Sequence, residues 1–293
     1  MPEAPFETQS ASPQSAAPQS SAQQPYQATA SRSPFFRWLT YLVLMPLFAL
    51  ATTAFGTVAM LASLFDGSGR MQHSIAHAWG GVLLRIAMSP VQVIGAENLQ
   101  KAPVAVYALN HLSYMDTPVV LGKLPFQFRI LARHDLFKLP FIGWYLQRSG
   151  QIPVDSTSSR STVASLNRGV KALQSGMPLV IFPEGGRSLD GQLQPFLSGL
   201  AFMAIRAQVP VVPMALIGTH ELLPMHTYHL QPRPLLLIVG EPISTAEYTS
   251  KMADALTQRI FDAISQMHRQ HSNRESLPTD ATKQSASRQV SAS

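Results

Sequence analysis

The residues best suited to chemistry lie in the stretch Asn110-His111-Leu112-Ser113-Tyr114-Met115-Asp116. Apolar runs at 104–109 and 118–121 flank it, so a histidine and a carboxylate follow a predicted strand where a helix begins. The carboxyl ends of strands are where α/β sheets place their reactive groups. A histidine can take a proton from a hydroxyl when a carboxylate holds its other ring nitrogen. We therefore expect His111 to be a general base and Asp116 to orient it.

Simpler roles for both residues are open from the sequence alone. Asp116 can form a capping box with Ser113, or it can be the cap itself, since Pro118 favours a later helix start. His111 can be a partly buried histidine with structural hydrogen bonds. A metal site of His111, Asp116 and Glu184 is a further alternative, but these residues lack the tight ligand spacing of common metal motifs, and we expect no metal.

A second reactive stretch, Phe182-Pro183-Glu184-Gly185-Gly186-Arg187-Ser188, follows the predicted strand at 179–182. Its paired glycines allow positive φ angles and close backbone approach, so their amides can face an oxyanion or a phosphate. Arg187 can hold a phosphate through two parallel hydrogen bonds. An ordinary Gly-Gly turn with solvated charges is the alternative.

Two further stretches offer binding surfaces rather than reactive groups. Between Lys123 and Arg148 there are five Lys or Arg residues, one acidic residue and several aromatic ones, just before Gly150–Ser156. This mixture suits a membrane headgroup region, or equally an aromatic core with a solvated basic face. Further on, the Val-Pro-Val-Val-Pro run at 209–213 predicts an edge strand or the wall of an apolar groove, because proline cannot donate to a sheet ladder.

The N-terminal third of the chain has a different character from the rest. Residues 1–33 are rich in Ser, Gln, Pro and Ala and predict a disordered tail. No charged residue occurs from Trp38 to Phe65, which is long enough to cross a bilayer core. Pro46 and Gly56 can instead divide it, so we expect 34–68 to be a membrane helix or a re-entrant helix pair. An amphipathic helix at 71–89 follows, suited to packing or to a membrane interface.

From residue 90 onward, short β-like runs alternate with helical ones, which is typical of an α/β sheet covered on both faces. We expect the folded domain to occupy 69–269 and a second disordered tail to occupy 270–293. The predicted strands are 91–94, 104–109, 128–131, 151–154, 179–182, 209–216 and 235–239. The predicted helices are 116–124, 135–148, 158–175, 197–207 and 246–269.

Composition restricts the chemistry and the partners. The 293 residues include no cysteine, which excludes disulfides, cysteine nucleophiles and thiolate metal sites. The net charge is +6 although only 13% of residues are charged, which favours contact with an anionic membrane surface or an anionic substrate. The basic residues are dispersed and form no nucleic-acid motif, so we expect no nucleic-acid partner.

Taken in order, the four stretches resemble the glycerolipid acyltransferase family of 1-acylglycerol-3-phosphate O-acyltransferases. The first block of that family, Asn-His-x-Ser-x-x-Asp, is matched at Asn110, His111, Ser113 and Asp116. The third, Phe-Pro-Glu-Gly-Thr-Arg-Ser, is matched at 182–188 except that Gly186 replaces Thr. The second block is matched around Gly150–Asp155, and 209–213 matches the fourth. Ser156 and Ser198 stand where the family usually has a basic residue.

The resemblance implies a fold and a reaction. The fold is α/β, with a mixed, mostly parallel sheet flanked by helices and an N-terminal membrane-embedded helical segment. The reaction moves a fatty acyl group from acyl-CoA or acyl carrier protein, without a cofactor, to the free hydroxyl of a lysophospholipid acceptor. The expected acceptor is 1-acylglycerol-3-phosphate and the product phosphatidic acid. We expect association with membrane lipids, in the inner or cell membrane if the source is bacterial, with the active site facing the cytoplasm.

The resemblance also implies residue roles. His111 deprotonates the hydroxyl, Asp116 holds the imidazole tautomer, and the hydroxyl attacks the thioester directly without an acyl-enzyme. Substrate binding is expected from the remaining block residues, with the amides near Gly185 and Gly186 at the oxyanion and Glu184 and Arg187 at the glycerol phosphate. The full expected binding set is Asn110, Ser113, Glu184, Gly185, Gly186, Arg187 and Ser188.

Three other functions are open. The acceptor can be another lyso-lipid, such as lyso-ornithine lipid. A membrane-bound lipid esterase could also use His111, but the chain has no Gly-x-Ser-x-Gly nucleophile elbow. A lipid-binding scaffold protein would use the basic, aromatic surface and would not need the histidine and aspartate.

Overall fold

The computed structural model describes residues 34–139, 141–155, 158–227 and 229–272. The predicted tail at 1–33, most of the one at 270–293, and Ser156 of the second block lie outside the described residues. The first three residues of the predicted C-terminal tail are helical, because the last helix continues to Ser272.

Within the described residues, seven strands form one sheet in the order β1-β7-β6-β2-β5-β3-β4. Every neighbouring pair is parallel except β6 and β7, which are antiparallel. The mixed, mostly parallel sheet is therefore confirmed. The strands are β1 Val91–Ile94, β2 Val106–Leu109, β3 Arg129–Arg133, β4 Ile152–Val154, β5 Leu179–Ile181, β6 Val211–Ile217 and β7 Leu235–Val239.

The helices follow the predicted alternation, with differences at their ends. The predicted helix at 135–148 is divided into a 3₁₀ turn, His134–Lys138, and a short α-helix, and the last helix begins seven residues later than predicted. The helices are α1 Pro34–Leu39, α2 Met45–Ala62, α3 Arg70–Ile86, α4 Asn98–Lys101, α5 Asp116–Lys123, α6 Ile142–Arg148, α7 Ser159–Gln174, α8 Gly199–Ala207, α9 Thr219–Leu222 and α10 Ala253–Ser272.

Helices cover both faces of the sheet, and strand β2 shows how. Tyr107 and Leu109 point into one core cluster, which includes residues of α3 and α5. Val106 and Ala108 point into the other cluster, built with α7, α8 and α10. Because successive side chains of a strand alternate between faces, a strand apolar at every position must be covered on both sides.

Strand β6 is interior to the sheet, so the prediction of an edge strand for the Val-Pro-Val-Val-Pro run was wrong. Pro210 precedes the strand, and its carbonyl accepts from the Val106 amide. Pro213 lies just before the ladder with β7, which covers Met214–Ile217. The missing amide of Pro213 therefore costs no ladder bond there, while its carbonyl accepts from the Gly240 amide.

Helices α3 and α5 cross with their backbones in contact. A Cβ atom on Gly80 would lie 2.5 Å from the Pro118 carbonyl oxygen, and one on Gly122 would lie 2.9 Å from the Gly81 nitrogen. Glycine is therefore required at this crossing, and α3 is a packing helix on this side. The crossing also fixes α5, whose first residue is Asp116.

The apolar N-terminal segment forms one uninterrupted helical run. Helix α1, a π-helical stretch Thr40–Leu44 and α2 follow one another directly, so the run passes through Pro46 and Gly56. The part from Arg37 to Ala62 is long and apolar enough to cross a membrane, and only 11% of its most apolar 18-residue stretch is buried. One side of α2 packs on α3, where the Trp79 indole donates to Thr52 at 3.2 Å. The outward side exposes apolar residues, which favours a lipid environment.

Candidate active site

The two reactive stretches meet at one edge of the sheet. His111 lies just after β2, and Glu184 lies just after β5. These strands are parallel neighbours, paired from Val106 with Leu179 to Ala108 with Ile181, so their carboxyl ends lie side by side. The sheet therefore brings the first and third blocks together, as expected for an α/β site.

His111 and Asp116 are in direct contact. The Nδ1 atom of His111 lies 2.8 Å from Oδ2 of Asp116, which is fully buried. The same oxygen accepts from the backbone amides of Leu112 at 2.7 Å and Ser113 at 2.9 Å. A carboxylate only accepts, so in the neutral imidazole Nδ1 carries the proton and Nε2 is the basic atom.

The start of α5 explains how Asp116 comes to face His111. The helix begins at Asp116 itself, and the residue before it, Met115, makes no side-chain cap. Asp116 is therefore not the cap, which corrects that alternative, whereas the Ser113 amide donates to its side chain as the capping-box alternative expects. Its side chain reaches back to the preceding turn. Ser113 supports that turn by donating to the Leu223 carbonyl at 2.9 Å and accepting from the Met115 amide at 3.2 Å.

The aromatic ring of Phe182 forms one wall for the imidazole. Its centroid lies 4.0 Å from that of His111, and the ring planes differ by 21°. The contact restricts rotation of the imidazole and leaves its side chain only 12% exposed. Phe182 belongs to the third block, but its packing on His111 was not predicted.

Glu184 holds the backbone beside the catalytic candidate. Its Oε1 accepts from the His111 amide at 2.7 Å, and its Oε2 accepts from the Gln194 amide at 3.1 Å. Burial raises the pKa of the Glu184 carboxyl to about 7, although these two amide donors lower it. Its carboxylate thus joins the first block to the segment that follows the third.

Ser188 completes the clamp on the His111 backbone. Its amide donates to the His111 carbonyl at 2.9 Å, and its hydroxyl donates to Asp190 at 2.8 Å. The amide and the carbonyl of His111 are therefore both held by the 182–188 loop. That loop fixes the backbone of the histidine, while Asp116 fixes its ring.

The tip of this loop is more open. Gly185 has φ +72, and a Cβ there would lie 2.9 Å from a Leu197 methyl, so glycine is favoured on both grounds. The neighbouring Gly186 and Arg187 amides donate to no acceptor in the part of the chain that the structure describes. The guanidinium of Arg187 lies 4.6 Å from the centre of the Tyr114 ring, so the exposed arginine is directed toward the first block.

Asn110 is fully buried and braces strand β6. Its amide donates to the Leu216 carbonyl at 2.9 Å, and its oxygen accepts from the Leu216 amide at 2.7 Å. The pair of hydrogen bonds ties the end of β2 to the neighbouring strand.

A buried histidine, His220, was not predicted near the site. Its Nδ1 atom lies 3.3 Å from the Leu112 carbonyl oxygen. No local motif marks it, because its contact depends on the fold.

The metal alternative finds little support. The residues described by the structure contain no group of three or more His, Cys, Asp or Glu side chains that could hold a metal ion. Glu184 directs its carboxylate oxygens to backbone amides, and Asp116 directs Oδ2 to three donors. These carboxylate oxygens are thus directed at hydrogen-bond donors.

Comparison with known proteins identifies the family of the chain. A family model described as Acyltransferase matches residues 90–217, which include both stretches. A 1-acyl-sn-glycerol-3-phosphate acyltransferase of Chlamydomonas reinhardtii is 30% identical over 234 residues, covering 78% of this chain and 68% of its own. The chain belongs to the 1-acyl-sn-glycerol-3-phosphate acyltransferase family. It is an acyltransferase, as the resemblance implied.

Other relatives support the same family. The enzyme of that name from Limnanthes douglasii is 29% identical over 194 residues, covering 66% of this acyltransferase and 68% of the relative. A solved structure of the 1-acyl-sn-glycerophosphate acyltransferase of Thermotoga maritima superposes with a TM-score of 0.68 and 23% identity. It covers 83% of this chain and 100% of that one. The superposition supports the fold of the acyltransferase domain.

Proposed function

We propose that this acyltransferase moves a fatty acyl group from the thioester of acyl-CoA or acyl carrier protein to the free hydroxyl of 1-acylglycerol-3-phosphate. The product is phosphatidic acid. The observation that carries the proposal is the hydrogen bond between His111 Nδ1 and Asp116, at 2.8 Å. It leaves Nε2 to accept a proton, and this nitrogen has no hydrogen-bond partner among the described residues. The names of the relatives at about 30% identity support the choice of acceptor.

The reaction balances with one base. His111 Nε2 takes the proton of the acceptor hydroxyl while the oxygen attacks the thioester carbonyl carbon. A C–O bond forms, and the carbonyl oxygen becomes an oxyanion. When the oxyanion collapses, the C–S bond breaks and the proton on Nε2 passes to the departing sulfur. The products are the ester and a free thiol, and the imidazole returns to its starting state.

The loop after β5 supplies the groups that stabilise charge. The Gly186 and Arg187 amides have no described acceptor, so they can donate to the oxyanion. Arg187 is exposed beside Tyr114, and its guanidinium can hold the acceptor's phosphate. Arg187 matters more here because Ser156 and Ser198 stand where the family usually has a basic residue.

The remaining expected binding residues fit a positioning role better than direct contact with the acceptor. Both oxygens of Glu184 accept from backbone amides. Asn110 braces Leu216, Ser113 braces Leu223, and Ser188 holds the His111 carbonyl. We assign these four residues, Ser188 through its backbone amide, to holding the histidine in place, and we assign substrate contact to Gly185, Gly186 and Arg187.

The membrane supplies the acceptor. We propose that the exposed apolar run formed by α1 and α2 holds the domain at a membrane with the active site on the cytoplasmic side, where the acyl thioesters are made. The low burial of this run supports the assignment.

The test is an acyl-transfer assay in lipid vesicles. Lysophosphatidic acid, other lysophospholipids and lyso-ornithine lipid are each combined with acyl-CoA and with acyl carrier protein donors. We expect transfer to lysophosphatidic acid, its loss in His111→Ala, and normal transfer in the control His226→Ala, which changes an exposed histidine outside the site. Near-native transfer by purified His111→Ala would refute the mechanism. Faster transfer to another lyso-lipid would replace the acceptor.

A further inference from the structure

The segment between β3 and β4 exposes an unusual number of large apolar side chains. The 3₁₀ turn contains no buried residue, and α6 buries only Gly143. Phe141 is 70% exposed, Ile142 51% and Trp144 45%. We call the exposed apolar side chains of this segment the α6 surface; they are Leu136, Leu139, Phe141, Ile142 and Trp144.

The α6 surface is held rigidly. A Cβ on Gly143 would lie 2.2 Å from the Phe137 carbonyl oxygen, so α6 lies directly against the 3₁₀ turn. The Gly143 amide donates to the Leu139 carbonyl at 2.8 Å, and the Tyr145 amide donates to that of Phe141 at 2.9 Å. Phe141 has φ +62, a conformation that costs energy for a bulky residue. These contacts fix the backbone that carries the exposed apolar side chains.

The aromatic and basic region from Lys123 to Arg148 also contains buried residues. The membrane interpretation and the core interpretation therefore apply to different parts of it. Phe128 is buried and Phe126 packs against the same core cluster, with 6.3 Å between their rings. Phe141 and Trp144 lie outside that cluster and are exposed. The core therefore accounts for Phe126 and Phe128, whereas Phe141 and Trp144 need another partner.

The α6 surface adjoins the apolar N-terminal run. Helix α6 packs against the end of α2, where Arg148 donates to the Ser63 carbonyl at 3.2 Å. Leu64 and Phe65, just after α2, are 61% and 84% exposed. The apolar surface of the run thus continues onto α6.

The charges around the α6 surface are mainly basic. Lys138 and Arg148 are exposed, and they are the last residues of the 3₁₀ turn and of α6. Arg133 pairs with Asp135, the only acidic residue between Lys123 and Arg148. Tryptophan and phenylalanine among lysines and arginines suit the boundary between headgroups and acyl chains, and basic residues add attraction to anionic lipids.

The position of the α6 surface relative to the active site indicates what a membrane contact there would do. Strand β3 is parallel to its neighbour β5, so the segment after β3 starts at the sheet edge where Glu184 and His111 lie. We propose that the α6 surface is a second membrane-contact element, which inserts into the headgroup boundary of an anionic bilayer beside α2. Two contacts on one domain fix the orientation of the active-site edge relative to the lipid, which a single helix leaves free to rotate.

Tryptophan fluorescence tests the contact directly, because the chain has only three tryptophans. In Trp38→Phe/Trp79→Phe, Trp144 is the only emitter. The matched control replaces Trp38, Trp79 and Trp144 by Phe and carries Val163→Trp, an exposed position on α7 at the other face of the sheet. Both are added to vesicles of phosphatidylglycerol and phosphatidylcholine with brominated acyl chains. We expect Trp144 to be quenched several-fold more than the tryptophan at 163, and equal quenching would overturn the proposal.

A second variant measures the effect on binding. Phe141→Ser/Trp144→Ser is compared with Val163→Ser/Met252→Ser, which removes exposed apolar groups elsewhere. We expect the vesicle dissociation constant of the first to rise about tenfold, with acyl transfer to micellar acceptor unchanged. This unchanged transfer shows correct folding and separates the result from the reaction assigned to His111. Unchanged vesicle binding would contradict the proposal. Conversion of a dimer to a monomer by these substitutions, with no quenching of Trp144 by the brominated lipid, would also contradict it and would assign the α6 surface to a second copy of the chain.

Discussion

Replacing Asp116 by asparagine separates the charge of the carboxylate from its hydrogen bonds. In the native chain one oxygen, Oδ2, accepts from His111 Nδ1, the Leu112 amide and the Ser113 amide within 2.9 Å. With its amide oxygen at the Oδ2 position, asparagine can accept from the same three donors, and its NH₂ group lies at the Oδ1 position. The neutral amide carries no negative charge to stabilise the imidazolium that forms when Nε2 takes the substrate proton.

The size of the effect follows from the loss of this charge. Asp116→Asn retains His111 but leaves the imidazolium without a negative partner, and in a comparable histidine–carboxylate pair this exchange lowers kcat about 10⁴-fold. We expect a loss of about 10²- to 10⁴-fold in kcat, or roughly 3 to 5 kcal/mol in transition-state stabilisation. The free energy of unfolding should fall by only about 1 to 3 kcal/mol, since the isosteric amide keeps most backbone contacts.

The assay is acyl transfer to lysophosphatidic acid in mixed micelles, read beside thermal unfolding. Asp190→Asn is the matched control, because its carboxylate accepts from Ser188 and Gln192 and has no hydrogen bond to His111. That variant should keep kcat within a few-fold of the native value. If Asp116→Asn also kept kcat within about tenfold, the Asp116 charge would not support proton transfer to His111, and the reasoning from the hydrogen-bond geometry would be refuted.

Three further predictions concern Glu184, the helix crossing and Asn110. Because the folded pKa of Glu184 is about 7 against an ordinary 4.5, the folded state holds an extra proton in that window. The free energy of unfolding should therefore fall by about 3 kcal/mol as the pH rises through it, and denaturation of Glu184→Gln should lack this dependence. Gly80→Ala should lower the unfolding free energy by about 1 to 3 kcal/mol, whereas Gly81→Ala, whose nearest atom would be 3.8 Å away, should be neutral or stabilising in the same thermal scan. Asn110→Ala leaves both backbone groups of Leu216 without these partners and should cost about 1 to 3 kcal/mol in urea denaturation.

The sheet could be predicted because its strands are apolar at nearly every position and separated by helical patterns. Strand β2 is buried along its whole length, and such runs are detectable locally. The position of β6 could not be predicted, because whether Pro213 lacks a partner depends on where β7 ends. Helix α9 has only four residues and shows no periodicity. The break before α6 depends on the positive φ of Phe141, which no residue preference indicates.

The members of the candidate site could be predicted better than their contacts. His111 and Asp116 are five residues apart, so a local turn can join them, and the sequence indicates the pair. Glu184 is 73 residues from His111 in the chain, and its carboxylate meets the His111 amide only because β2 and β5 are neighbours. A sequence pattern identifies a carboxylate but not the donors from which its oxygens accept hydrogen bonds. This is why the third block suggested phosphate chemistry for Glu184 while the geometry favours a backbone clamp.

The contacts of the nearby serines bear on whether His111 could activate a serine nucleophile. A hydrolase using His111 needs a serine hydroxyl within hydrogen-bond reach of Nε2. The two serines of the reactive blocks are both buried and directed elsewhere, Ser113 to the Leu223 carbonyl and Ser188 to Asp190. Activating Ser113 would break its hydrogen bond to the Leu223 carbonyl, and activating Ser188 would break its hydrogen bond to Asp190. Neither of these two serines is therefore placed to be a nucleophile, which agrees with the proposed direct transfer to an acceptor hydroxyl.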